Sequence, residues 1–314
     1  MARAPADSAG PVRGTVLVTG GAGFIGTAVV RALRAAGYEV TSVDRVAPRD
    51  ADATAILGDL TDPEVRREAV AAGTTAIVHL AAATSVIGSI AAPAQVFDDN
   101  VAVTGALLEL ARERGVPRFV LASTNAVVGR AANGVMTERS PLEPLTPYGG
   151  TKAACEMLLS AYTGSYDVAA CALRLTNVYG VGMHNKDSLV ARLMRAALSG
   201  ATLQVYGDGG QRRDFIDVAD VVSAVRLALE RSWTGTVVIG SGESSSVLDV
   251  VDAVRRVSGT GLPIEHVPAR AGEMRAVKVD ISHARELGFE PRVPLEEGLA
   301  SVWAEARDTW GGAA

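Results

Sequence analysis

The chain has 314 residues, 48% of them hydrophobic, which is enough for a full apolar core in one large or two intimately joined domains. A net charge of −5 excludes a general nucleic-acid or anionic-membrane surface, because such binding needs clustered Lys and Arg to neutralise phosphates. No apolar run of about 18 residues is present to span a bilayer. Cys155 and Cys171 lack CxxC spacing and a zinc partner set among only four histidines, so they read as core residues of a reducing compartment and no metal is expected.

Residues 1–13 (MARAPADSAGPVR) lack the continuous apolar stretch of a signal peptide and read as a disordered leader on a cytoplasmic protein. From Gly14 the pattern is an apolar strand (TVLVTG), a glycine turn, a helix from about Phe24 to Ala36 and a second strand (YEVTSVD). Strands at TAIVHLAA, RFVLAST and VAACALRLTN follow, separated by helical segments near 63–72, 94–114 and 148–164. Strands apolar throughout and alternating with helices predict an α/β, doubly wound parallel sheet over 14–176, covered on both faces.

After Gly180 the rhythm changes. A helix over 188–200, a strand (TLQVYG), a polar turn (GDGGQRRDF), a helix over 218–231 and a strand (GTVVIGS) precede helices near 247–258, 282–287 and 295–309. With no linker between the halves, 214–240 is expected to return to the sheet, and 177–213 with 241–314 to form a smaller unit packed on it.

GGAGFIG follows the first strand and opens a helix, so Gly20, Gly23 and Gly26 would let backbone N–H groups and the helix N-terminus face a pyrophosphate. Asp44 ends the next strand, 18 residues beyond Gly26, where a carboxylate accepts from an adenosine ribose diol and so favours NAD. Arg45 beside it is a counter-signal, able to assist NADP or to stack on adenine. Asp59 and Leu60 read either as adenine flanks or as a turn before a helix capped near Thr61 and Asp62.

YGGTK places Tyr148 and Lys152 one helical turn apart, on one face. Alone, that spacing fits a solvated helix face as well as an acid/base pair. VTGGAGFIG, GDLTD, HLAAA, ASTNAVVG, PYGGTK, LRLTNVYG and YGDGGQRRDFIDVADVV stand in this order, however. With these seven motifs in register from Thr15 to about Trp303, the chain resembles the extended short-chain dehydrogenase/reductase family, most closely its nucleotide-sugar epimerases of the UDP-glucose 4-epimerase type.

The resemblance implies that Tyr148 is the acid/base, that Lys152 binds the nicotinamide ribose, and that Thr124, with Ser123 as a second donor, meets the reacting hydroxyl. A nearby ammonium and a positive nicotinamide ring would both draw the phenol, ordinarily near pKa 10, toward working pH. For NAD it adds Phe24, Ile25, Leu80, Ala81, Ala82 and Asn100. For a nucleotide-diphosphate sugar, a UDP-sugar by preference, it implies Thr84, Asn125, Asn177, Ser188, Leu189, Gln204, Tyr206 and Arg213, with Arg270 and Glu273 as a nucleotide clamp.

Dehydrating members carry Asp-Glu directly after the Thr; here Asn125 and Ala126 cannot carry protons, so reversible 4-epimerisation of a UDP-hexose is the favoured expectation. His184 and Lys186 stand where uronate-specific relatives supply an Arg, which keeps a uronate open. Val128 replaces a usual Tyr, and the loop after VYG lacks a common Pro. The alternatives are a UDP-uronate epimerase or decarboxylase, a 3- or 5-epimerase, or, in another class, a silent NAD-binding regulator, which would not need Thr124, Tyr148 and Lys152 together. Segments 101–111 and 153–161 are apolar enough for the four-helix homodimer common in the family.

Overall fold

Alternation along TVLVT shows how the centre is built: Val16 and Val18 enter one apolar cluster and Leu17 another. Successive side chains of a strand point to opposite faces, so this strand is buried on both. The same division recurs at Ala76 and Val78 against Ile77, and at Val120 against Phe119 and Leu121. The computed structural model describes residues 14–48, 54–129, 134–269 and 278–310.

Its strands, in chain order, are β1 (Thr15–Thr19), β2 (Glu39–Asp44), β3 (Thr54–Leu57), β4 (Thr74–His79), β5 (Arg118–Thr124), β6 (Val135–Met136) and β7 (Ala169–Leu175). There follow β8 (Asn177–Tyr179), β9 (Leu203–Tyr206), β10 (Arg212–Asp217), β11 (Gly235–Ile239), β12 (Ser244–Ser246), β13 (Ile264–Val267) and β14 (Lys278–Val279). The helices are α1 (Phe24–Ala35), α2 (Pro63–Ala69), α3 (Val86–Ala91), α4 (Pro93–Phe97), α5 (Val103–Glu113) and α6 (Pro147–Ser165), then α7 (Leu189–Ser199), α8 (Val218–Glu230), α9 (Val247–Ser258), α10 (Ser282–Glu286) and α11 (Leu295–Thr309).

Among the described residues a seven-stranded sheet runs β3-β2-β1-β4-β5-β7-β11, every pair parallel. The chain winds outward from β1 to β3, then crosses back to β4 on the other side of β1. Such a reversal opens a crevice at the carboxyl ends of the two strands, the place where doubly wound sheets bind ligands. Helices α1 and α8 cover one face and α5 and α6 the other, while α7, α9 and α11 gather round a third apolar cluster with β9. No helix of the described residues is long and apolar enough to cross a membrane.

Several elements differ from the sequence reading. GDGGQRRDF is a turn only as far as Gln211; Arg212 to Asp217 form β10, parallel to β8 and antiparallel to β12. The charged arginines hide this strand in the sequence, yet Asp214, Phe215 and Ile216 are buried. VAACALRLTN breaks at Thr176, where the partner changes from the main sheet to β10. The helix expected at 94–114 is α4 and α5 joined by a wider turn over Asp98–Ala102, and α3, capped by Ser85, was not foreseen.

Candidate active site

The glycine loop is shaped by contacts that only glycine permits. Gly20 takes φ +70°, and a Cβ on Gly26 would lie 2.0 Å from the Gly20 carbonyl oxygen. Helix α1 therefore starts directly against the end of β1, with Gly23 at its N-cap and no side chain covering its first N–H groups. Asp44, at the end of β2, accepts from the Ala22 N–H at 3.0 Å and fixes the loop from the side. Arg45 is held by Asp59 at 2.9 Å and Asp99 at 2.8 Å, so this cation is engaged by carboxylates. Burial raises the Asp59 pKa, but the Thr61 N–H and hydroxyl and the Arg45 guanidinium outweigh it and hold the carboxyl below its usual range.

A cavity of about 440 Å³ runs from this loop to the ends of β4 and β5. Gly20, Gly23, Phe24, Ile25, Gly26, Asp44, Arg45, Asp59 and Leu60 line one end; Leu80, Ala81, Ala82 and Thr84 form the wall after β4. Asn100 is fully buried behind that wall, where its amide bonds both the N–H and the C=O of Ala83 and the Thr151 hydroxyl. It shapes the wall rather than lining it.

At the far end stand Ser123, Thr124, Tyr148, Lys152 and Lys186. Helix α6 begins at Pro147, its N-cap Thr146 accepting from the Gly149 N–H, and the i, i+4 spacing turns Tyr148 and Lys152 to one side. The Thr124 hydroxyl accepts from the Ala126 N–H at 3.2 Å and lies close enough to the Tyr148 phenol to favour its ionised form. The Lys152 ammonium donates to the Ala122 carbonyl at 2.9 Å. Ser123 turns away, donating to Glu156 at 2.5 Å. Asn125 opens the short turn after β5, its Oδ1 3.4 Å from the Thr124 hydroxyl.

The sequence predicts that Lys152 draws the phenol down, but in the protein alone the sign is reversed. Burial pushes the Tyr148 phenol above its ordinary range, opposed by the nearby Thr124 hydroxyl, and burial likewise lowers the Lys152 ammonium. Both groups have lost the solvent that favours their charged forms, and the ammonium is directed at a carbonyl. Lys186 borders the same cavity with much of its surface open to it, yet the surrounding protein lowers its pKa by desolvation.

A second cavity, of about 240 Å³, shares Val178 with the first. Asn177, Ser188, Leu189, Gln204, Tyr206 and Arg213 line it. The Ser188 hydroxyl is buried without a partner and does not cap α7, so the positive end of an eleven-residue helix faces this cavity beside an unsatisfied hydroxyl. Asn177 is oriented by donating to the Asp214 carbonyl at 2.8 Å. Arg270 and Glu273 lie outside the described residues.

Sequence reasoning missed three buried polar groups here. His79 sits between the Thr19 hydroxyl at 2.6 Å and the Thr104 hydroxyl at 3.1 Å, and burial holds its pKa at about 3, so the ring is neutral. Asp214 accepts from the Thr176 hydroxyl and from the Ser241 and Gly242 N–H groups. Glu156 pairs with Arg174 in the core. Only Glu156 carried a local signal, because it continues the four-residue spacing of Tyr148 and Lys152. Among the described residues no group of three or more His, Cys, Asp or Glu is placed to hold a metal.

Residues 16–240 match the model of the NAD dependent epimerase/dehydratase family. The chain is 34% identical to a dTDP-glucose 4,6-dehydratase of Streptomyces niveus, over 94% of each protein. The fold is similar to a UDP-glucose 4-epimerase of Thermotoga maritima solved with UDP-glucose, at a TM-score of 0.89 and 32% identity, covering 94% of this chain and 99% of that one. It is also similar to MoeE5 solved in complex with UDP-glucuronic acid and NAD, at a TM-score of 0.86 and 37% identity, covering 94% and 100%. NAD is the cofactor, and the residues fit it: the close approach that Gly26 permits sets the uncapped start of α1 against the cavity, where a diphosphate can meet its N–H groups, and Asp44 borders the cavity while its neighbour Arg45 is tied to two carboxylates.

Proposed function

This chain belongs to the NAD dependent epimerase/dehydratase family, and from that premise we propose that it inverts C4 of a UDP-hexose through a transient 4-keto sugar. The observation that carries the reading is the reacting end of the first cavity. Thr124, Tyr148 and Lys152 meet there, and the titratable side chains at that end among the described residues are Tyr148, Lys152 and Lys186. Elimination of water needs a second acid/base pair, and Asn125 and Ala126 supply none.

NAD supplies a hydride acceptor that gives the hydride back. The chain does the rest. Tyr148 as phenolate takes the C4 hydroxyl proton and returns it, while Thr124 holds that hydroxyl and the phenol in one hydrogen-bonded line. Lys152, one turn along the same helix face, is assigned to the nicotinamide ribose. In the second cavity the Ser188 hydroxyl, the N-terminus of α7, Asn177 and Arg213 suit a diphosphate, with Leu189, Gln204 and Tyr206 beside it for the nucleoside. Val178 lines both cavities, and one substrate is proposed to span them. An anchor at the diphosphate would leave the sugar free to present either face to a bound nicotinamide, as inversion at C4 requires.

Residues 14–176 with 214–240 then serve as the cofactor domain, and 177–213 with 241–314 as the nucleotide-sugar domain. Two copies are proposed to pair through α5 and α6, which light scattering would refute by reading a monomer at working concentration. A second reading, a UDP-uronate substrate, draws support from Lys186, whose ammonium lines the reacting cavity with no ion pair among the described residues.

The test is proton NMR in heavy water with UDP-glucose, UDP-N-acetylglucosamine and UDP-glucuronate offered separately. A 4-epimer free of deuterium at C4 is expected with one of them, and none with Tyr148→Phe, which should still bind NAD. Deuterium uptake at C3 or C5, release of carbon dioxide, or a 4-keto-6-deoxy product would overturn the proposal.

A further inference from the structure

Three consecutive residues of β5 face three successive turns of α6, and two of them are bonded to it. The Thr124 hydroxyl meets Tyr148, the Ala122 carbonyl accepts from Lys152, and the Ser123 hydroxyl donates to Glu156. The first two contacts belong to the site described above. The third leads into the core, where Glu156 and Arg174 have side-chain exposures of 0% and 3%.

Arg174 stands on β7 directly opposite Ser123 in the sheet register. Its Nη2 donates to Glu156 Oε2 at 2.7 Å, and its Nε lies 3.1 and 3.2 Å from the two carboxylate oxygens. The remaining nitrogen, Nη1, donates to the Thr137 and Glu138 carbonyls at 3.3 and 3.2 Å. One carboxylate on the helix is thus gripped from two adjacent strands, and the guanidinium also ties down the loop after β6.

A buried pair of this kind is a poor stabiliser. The desolvation of two charges consumes most of their attraction, and apolar residues of similar volume often do as well. What apolar residues cannot do is fix one rotation and one height of the helix, because hydrophobic contact is not directional. Resting on the proposed proton transfer, we infer that Glu156 and Arg174 are positioning residues: they brace α6 against β5 and β7 so that the Tyr148 phenol stays beside Thr124 at the end of the cavity. A slip of about 1 Å at such a pair costs on the order of 100-fold in rate.

The test removes both charges together, as Glu156→Leu with Arg174→Met, so that no unpaired ion is left in the core and the net charge near the site is unchanged. The titratable groups around the phenol, Lys152 and Cys155 on its own helix, His79 of β4 near Lys152 and Lys186 on the loop after β8, are left in place. The folded double variant should bind NAD as the parent does and keep KM for the nucleotide sugar, while kcat falls on the order of 100-fold. Its Tyr148 titration, followed by tyrosinate absorbance against a Tyr148→Phe reference, should move upward because the phenol drifts from the Thr124 hydroxyl that favours its ionised form. Adding Thr124→Val should then cost little more.

Unchanged kcat and an unchanged Tyr148 titration in the folded double variant would reduce the pair to a structural role and overturn the inference. If the double variant does not fold, Ser123→Ala, which keeps the ion pair and cuts one link to β5, must show the same changes at smaller size. The absorbance titration needs no turnover, so a parent enzyme silent on every sugar nucleotide would sink the proposed reaction and still leave the brace open to this measurement.

Discussion

Replacing Gly26 by Ala asks whether the loop after β1 is a cofactor cradle or an incidental tight turn. The added Cβ would stand 2.0 Å from the Gly20 oxygen, 2.8 Å from its carbonyl carbon and 2.9 Å from the Gly21 Cα, where real Cβ atoms keep at least 3.0 Å. All three obstacles are backbone, so the loop and the helix end must part by about 1 Å, enough to break good N–H geometry toward a diphosphate. Losing two charge-assisted bonds at about 1.5–3 kcal/mol each weakens NAD binding by ~3–6 kcal/mol, between roughly 10² and 10⁴-fold. Isothermal titration with NAD measures this directly, with the urea midpoint recorded beside it. Gly164→Ala is the control, since its Cβ meets nothing within 4 Å on α6 and should be neutral or stabilising by up to about 1 kcal/mol. A folded Gly26→Ala protein that binds NAD within threefold of the parent would refute the reasoning.

Two further outcomes concern proton equilibria. Because the Thr124 hydroxyl favours the Tyr148 phenolate against the rise caused by burial, Thr124→Val should shift the ascending limb of the kcat/KM profile to higher pH; a shift downward, or none, contradicts the assigned proximity. His79 titrates at about 3 in the fold and near 6.5 when unfolded, so its contribution is complete above pH 6.5 and is lost as pH falls toward 3, reaching about 3 kcal/mol by pH 4. His79→Gln should flatten the acid slope of the urea midpoint, and equal slopes in the two proteins would count against a neutral buried ring.

The legible features were those written in one short stretch. GGAGFIG carries its own turn and helix start, Asp44 closes a strand at the expected distance, and the four-residue spacing of Tyr148 and Lys152 is a local fact of the helix. Arg45 is ambiguous in the sequence because its partners, Asp59 after β3 and Asp99 in the helical turn between α4 and α5, are brought beside it only by the fold. The strand at Arg212–Asp217 was hidden because its apolar positions are few and its pairing depends on β8 and β12, which are themselves only three residues each. The sign of the Tyr148 shift could not be read from the chain, since it depends on how much protein surrounds the phenol once α6 lies on the sheet.

The two thiols give the fold a built-in clock. Cys155 and Cys171 are both free, both fully buried, and lie on opposite faces of the main sheet. Burial pushes the Cys171 thiol up to about 12 and also raises Cys155, so neither presents a thiolate to a labelling reagent in the closed molecule. Reaction with an aromatic disulfide therefore times the opening of each layer: Cys155 reports when α6 lifts from α5, and Cys171 when the face under α8 is exposed. If the two rates coincide, the sheet and both helical layers come apart as a single cooperative unit; if Cys155 reacts first, the helix that carries Tyr148 breathes independently of the rest.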